Sequence, residues 1–200
     1  GGGLQVPRVK LTRGDASAQA QGTLAFGGDR AFTVAGRFER LDPAAFAAVP
    51  AGEINADFTV QGRLAGTRAG EARVVLARSR YAGLAAEGRL AVAGEGTRLV
   101  SADADLALGA TRLVARGALG RADDALAVRV TSPDLAPLGR AFRVDLGGRV
   151  DLDARVAGAF EALSGTAALE ARSLVLPGGV RAGHVAGRVA LGAGEAGVAQ

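Results

Sequence analysis

GGRVDLDARVAG, residues 147–158, decides the reading of the fold. From Val150 onward the even positions hold Val150, Leu152, Ala154 and Val156, while Arg149, Asp151, Asp153 and Arg155 fill the odd ones. Successive side chains of a β-strand point to opposite faces, so this stretch makes one face wholly apolar and the other wholly charged. The apolar face needs a cover.

The same alternation runs through the chain. Phe32, Val34 and Phe38 alternate with Thr33, Ala35 and Arg37, and Ile54, Ala56, Phe58, Val60 and Leu64 with Asn55, Asp57, Thr59, Gln61 and Arg63. Val100, Ala102, Ala104, Leu106 and Leu108 alternate with Ser101, Asp103 and Asp105, and Leu126, Val128 and Val130 flank Arg129. Residues 71–79, 87–93, 111–119, 165–176 and 184–191 read alike, which makes about a dozen strands. Glycine-centred turns separate them at Gly27-Gly28-Asp29, Gly94-Glu95-Gly96, Gly109-Ala110-Thr111, 120–124 and Pro177-Gly178-Gly179. Gaps this short favour antiparallel hairpins, because a parallel crossover needs a dozen or more residues. Helix is nearly absent. The best stretch is LDPAAFAAVP (41–50), with Asp42 as N-cap, Pro43 at the first helical position and Pro50 as a stop, and SPDLAPLG (132–139) is a shorter echo.

That echo belongs to an internal repeat. A shift of about 96 residues places Gly52, Ile54, Val60 and Gly62 on Gly148, Val150, Val156 and Gly158. The units run from about 38 to 131 and from 132 to 200, within one continuous β-rich segment, 1–200. A chain with no methionine that opens on Gly1-Gly2-Gly3 reads as part of a longer protein, with any leader or anchor elsewhere.

Composition removes several classes of chemistry. With no cysteine and His184 as the single histidine, no disulfide or N/S-ligated metal site is expected, and no cofactor. The net charge of +4 comes with arginine and aspartate interspersed, and one tyrosine with no tryptophan offers few stacking platforms, so no nucleic acid is expected. Lys10 is the only lysine and sits in no Walker motif. Arg13-Gly14-Asp15 matches an adhesion tripeptide but reads as a turn between strands. Asp103 with Asp105, and Asp151 with Asp153, could serve a glycosidase or a hard metal, yet both pairs lie opposite an apolar face and read as solvated. His184 has no nucleophile pattern around it. No catalytic residue is expected.

The cover for the apolar faces could be a second sheet, the same sheet curled over, or a ligand. The inward positions are mostly Ala, Val and Leu, and small aliphatic walls leave room where a sandwich core would carry large aromatics. The expected fold is therefore all-β, an elongated curled antiparallel sheet enclosing an apolar trough. Its natural guest is an acyl chain, which gains about 0.8 kcal/mol per CH2 removed from water. The expected lining is Ile54, Phe58, Val60, Leu106, Leu108, Val128, Val130, Val150, Leu152 and Val156. Parity shows which residues share a face within a strand, but not which strands face the same space. A transmembrane barrel lacks its aromatic girdles here. The alternative is a structural or adhesin module of a secreted bacterial protein, built as a parallel β-helix or a β-sandwich.

The units from SPDLAPLG through GGRVDLDARVAGAF to LSGTAALEARSLVLPGGV resemble the repeats of the TamB family, within the AsmA-like group of bacterial envelope proteins. The likeness covers about Phe38 to Leu191 and rests on rhythm, with no single specific motif. It implies a U-shaped "β-taco" groove in the periplasm, within a parent anchored in the inner membrane. It also implies a role in carrying phospholipid acyl chains between the inner and outer membranes, or in outer-membrane protein assembly. The implied partner, through the parent, is an Omp85-class outer-membrane protein, TamA.

Overall fold

The computed structural model describes residues 2–192 and 195–199. Thirteen strands follow one another: β1 (Gly3–Arg13), β2 (Ala16–Ala25), β3 (Ala31–Leu41), β4 (Gly52–Arg63), β5 (Ala69–Tyr81), β6 (Leu84–Glu95), β7 (Arg98–Leu108), β8 (Thr111–Leu119), β9 (Ala125–Ser132), β10 (Gly147–Ala157), β11 (Ser164–Leu176), β12 (Val180–Gly192) and β13 (Glu195–Ala199). Their order in space is their order in sequence, and every neighbouring pair is antiparallel. The result is one open, curled sheet with, among the described residues, a single α-helix, α1 (Ala136–Phe142). Short glycine-rich turns produce this meander, since a two-residue link returns the chain beside the strand it has just left. Gly14-Asp15 of the Arg-Gly-Asp tripeptide is such a link, with Gly14 at φ +58° and Arg13 paired to Ala16.

Curling comes from irregularities within long strands. Extra residues interrupt the register between Phe38 and Leu41 of β3 and between Leu76 and Ser79 of β5. A bulge of this kind bends its strand and increases the local twist. Ser79 is buried at one of them, where its Oγ accepts from the Asn55 N–H at 2.8 Å.

Two departures from the expected elements have local causes. The stretch 41–50 forms only a 3-10 turn at Pro43–Ala45, although Asp42 caps it as expected, accepting from Ala44 N at 3.1 Å. The same Oδ1 also accepts from Gly52 N, tying the loop to the start of β4 and leaving no room for further helical turns. The echo makes the helix instead: Asp134 Oδ1 accepts from Ala136 N at 2.9 Å, and α1 ends at Arg143 in the left-handed region. Near residue 95 the strand β6 continues through Glu95, so the turn is Gly96-Thr97.

Topology removes both alternative architectures. A parallel β-helix needs parallel pairing, and a sandwich needs a second sheet, whereas all described strands belong to one antiparallel sheet. Strands make extensive contacts only with their neighbours in sequence; α1 adds contacts to β10 and β6. Consequently the molecule has almost no sealed interior. The buried hydrophobic residues among those described are Ala56, Ala86, Ala104, Leu119 and Ala171. Thirteen strands spaced about 4.8 Å apart extend the sheet over roughly 58 Å. Small-angle scattering should therefore give a radius of gyration clearly above the ~16 Å of a compact 200-residue globule; a value at that limit would mean a closed body.

One end of the sheet is clamped by a shielded ion pair. Arg98 holds Asp124 through two hydrogen bonds of 2.9 and 2.7 Å, and Asp124 Oδ2 also accepts from Arg121 N. Gly158 N donates to the Asp124 carbonyl at 3.0 Å, joining the β8–β9 and β10–β11 turns. The Arg98 hydrogen bond, against an opposing desolvation effect, holds the Asp124 carboxyl below its ordinary value. A depressed carboxylate pKa stabilises the fold above the unfolded value, near 4, and that contribution disappears as pH falls through the depressed one. Asp124→Asn should lower Tm at neutral pH and flatten the loss of Tm as the pH falls below about 4. Parallel acid limbs for the two proteins in thermal melts would refute the clamp.

Candidate functional site

Directly paired residues on adjacent antiparallel strands lie on the same face, so the register gives the relation between strands that parity withholds. One row of paired residues reads Leu11, Ala18, Phe38, Ala56, Leu76, Gly88, Leu106, Leu113, Val130, Leu152, Leu169, Gly187 from β1 to β12. The next row reads Val9, Ala20, Gly36, Phe58, Val74, Leu90, Ala104, Ala115, Val128, Ala154, Ala167, Val189. A third, from Val6 through Val34, Val60, Val92 and Leu126 to Val156, is equally apolar. These rows form an apolar face that crosses twelve strands without a charged residue.

All ten expected lining residues fall on this one face. Phe58 and Val128 share a row, as do Leu106, Val130 and Leu152, and Val60 and Val156. Leu108 and Val150 belong to the row nearer the α1 side, where Leu108 pairs with Ala86 and Val150 with Ser132; Ile54 pairs there with Leu41. Each of the ten is half-buried, neither sealed nor fully open. Their neighbours in the sheet cover their flanks, and all the described strands belong to one open sheet.

Other residues join the face that periodicity could not assign. Val74, Val75 and Leu76 are consecutive apolar residues, and pairing places Val74 and Leu76 in the apolar rows while Val75 pairs with Asp57 and Arg89 on the other side. In β8, Leu113 and Ala115 lie inward and Val114 pairs with Asp105 and Arg129. The expected inward position of Val100 is corrected: the register shifts between Leu99 and Ala102, so Leu99 takes the place opposite Gly94 and Leu119. Leu64 lies beyond the end of β4 and is 53% exposed.

Large and small residues face each other across the strands. Phe58 lies over Gly36, where an added Cβ would sit 2.5 Å from the ring, and stacks on Phe38 with centroids 5.1 Å apart. Leu106 opposes Gly88, Leu126 opposes Gly117 and Val156 opposes Gly165. At Gly36 glycine supplies the space in which the Phe58 ring lies down along the sheet.

The opposite face carries the charge. Arg37 pairs with Asp57, Asp105 with Arg112 and Arg129 with Asp153, in each case across one strand boundary. The Arg112 hydrogen bond holds the Asp105 carboxyl below its ordinary range. Asp103 lies 3.9 Å from both Arg89 and Arg116, and Asp151 pairs with Arg149 along its own strand. The spaced carboxylates are thus engaged with arginine, and among the described residues no group of acidic or histidine side chains could hold a metal ion. His184 is exposed, 4.0 Å from Glu170. Exposed pairs of this kind contribute little stability each; their consistent effect is to keep this face in water.

No protein-family model, curated protein or solved structure matches the chain.

Proposed function

We propose that the apolar face is a conduit for phospholipid acyl chains, serving as a periplasmic segment that moves lipid between the inner and outer membranes. The observation that carries this reading is the continuity of the apolar rows across twelve strands of one open, curled sheet. A monomeric protein rarely exposes a contiguous apolar patch of more than a few hundred Å2 without a binding role. An extended trough suits a flexible chain that slides, because each methylene meets similar Ala, Val and Leu walls wherever it lies.

Transferring a chain of about 16 carbons into such walls recovers roughly 12 kcal/mol of hydration cost. The charged outer face would then look into the periplasm. An inner-membrane anchor and a TamA-like outer-membrane partner belong to this reading through the parent protein. The reading assigns no catalytic residue and no cofactor.

Mass spectrometry of lipids retained by the purified protein tests the proposal, combined with a photo-crosslinking residue at position 58, 128 or 152. Acyl adducts are expected at all three. Position 75, on the charged face, should give none. Absence of adducts at 58, 128 and 152 alike would sink the conduit.

A further inference from the structure

α1 lies between β9 and β10 in the chain, yet it reaches a strand far from either. It makes contact with β10 and also with β6, which stands three strands before β9 in the sheet. Phe142, its last residue, meets Tyr81 at the end of β5 with ring centroids 6.0 Å apart. The strand register fixes the side of the sheet on which this happens. Tyr81 pairs with Gly52 and Leu84, Ser79 with Ala86, and Ala86 with Leu108, so Tyr81 shares the face of the apolar rows. At the other end Ser132 pairs with Val150 on that same face and shares a 2.7 Å hydrogen bond with Thr111. α1 therefore lies over the apolar face, along one margin, from β10 back to β6.

One side of α1 is fixed and the other leans. Leu135 N donates to the Gly148 carbonyl at 2.8 Å and Val144 N to the Gly139 carbonyl at 2.9 Å, which ties the helix and its return to the start of β10. Gly139 is buried in that return, where an added Cβ would stand 2.8 Å from the Leu146 and Val144 carbonyl oxygens. The Phe142–Tyr81 contact is the hold of α1 on β5. Every residue of α1 is apolar except Arg140, which is exposed. In the margin that α1 follows, Ala86 is 5% exposed and Ser132 1%, whereas Ala115, in a central row of the same face, is half-buried. The 3-10 turn at Pro43–Ala45, in the corresponding link before β4, stays against β4.

We propose that α1 roofs the apolar face between β6 and β10 and shuts acyl chains out of that margin, with Phe142 on Tyr81 as its fastening. An apolar helix laid on an apolar row takes the row from water and from any guest alike, because the same surface cannot be buried twice. Leu108 and Val150 belong to the roofed margin, although they share the face with the other lining residues. The route left to a chain runs over the central row of Phe58 and Val128 and the row of Val60 and Val156 beyond it. This routing rests on the conduit reading; the roof itself stands on register and contact and does not depend on what the trough carries.

The chain has no cysteine, so single introduced thiols report cover directly. In lipid-free protein, Ala86→Cys is expected to react with fluorescein maleimide about tenfold more slowly than Ala115→Cys. Adding Phe142→Ala or Tyr81→Ala should speed the reaction at position 86 about fivefold and leave position 115 unchanged. Tyr81→Phe keeps the ring and should change neither. Equal rates at 86 and 115 without a fastening variant would overturn the roof. So would fastening variants that keep their β-sheet circular dichroism and leave the rate at 86 as it was, or speed both thiols alike. Should those variants lose that dichroism, the comparison of 86 with 115 decides alone. In lipid-loaded protein a photo-crosslinking residue at 86 should give no acyl adduct while one at 128 does, and Phe142→Ala should bring an adduct to 86. Adducts at 86 as frequent as at 128 would overturn the routing. Absence of adducts at 58, 128 and 152 would instead sink the conduit, with the roof decided by the thiol rates.

Discussion

Leu152→Asp and Val156→Asp should each empty the trough of lipid, while Leu152→Val leaves it loaded. Both positions lie on the apolar face: Leu152 pairs with Val130 and Leu169, and Val156 with Leu126 and Gly165. Neither has a charged neighbour in its row, so an aspartate placed there has no arginine to meet. An acyl chain lying over it would strip the carboxylate of water without a compensating hydrogen bond, at a cost of about 2 kcal/mol or more, roughly thirtyfold in occupancy. Val is one methylene smaller than Leu and keeps the surface apolar, so Leu152→Val changes retained lipid little. The measurement is the molar ratio of co-purified phospholipid to protein. Unchanged ratios in both aspartate variants would mean that this face does not carry lipid. The fold should survive these changes, because both residues are half-buried and open to water on the trough side.

The largest effect on stability is expected at Gly117. Its φ of +136° lies where side chains are disfavoured, and an added Cβ would stand 2.0 Å from the Ala125 carbonyl oxygen. Gly88 repeats the arrangement, with φ +146° and 2.2 Å to the Asp105 carbonyl oxygen. Backbone conformation alone costs about 1–3 kcal/mol at such a site, and the clash can be relieved only by moving a neighbouring strand. Gly117→Ala and Gly88→Ala should lower Tm by several degrees or prevent folding. Gly183→Ala is the control, since a Cβ there meets nothing within 4 Å. Equal Tm values for Gly117→Ala and Gly183→Ala would show that the close approach of β8 and β9 does not constrain the sheet.

Period-two alternation made the strands legible because each has one face in water and one out of it, and that contrast is written into every second residue. It failed where the contrast failed. Val74-Val75-Leu76 is apolar throughout, so only pairing to Asp57 and Arg89 turns Val75 outward. Val100 stands beside a register shift, and a bulge reverses parity without leaving a mark in composition. The helix in the 41–50 link was over-read because a cap and a proline describe how a helix starts, while its length here is limited by the Asp42 hydrogen bond to Gly52.

The ten lining residues were assignable within each strand from the sequence, and their common orientation was not. Each strand's parity is a local property, set by its own residues, so the sequence by itself determined a succession of two-faced antiparallel strands with charge on one side. Which faces meet is settled by hydrogen-bond register between strands, a non-local property that depends on where each turn closes and where each bulge falls. Tertiary structure alone decided that all the apolar faces point the same way and that the sheet curls open instead of closing against a second layer.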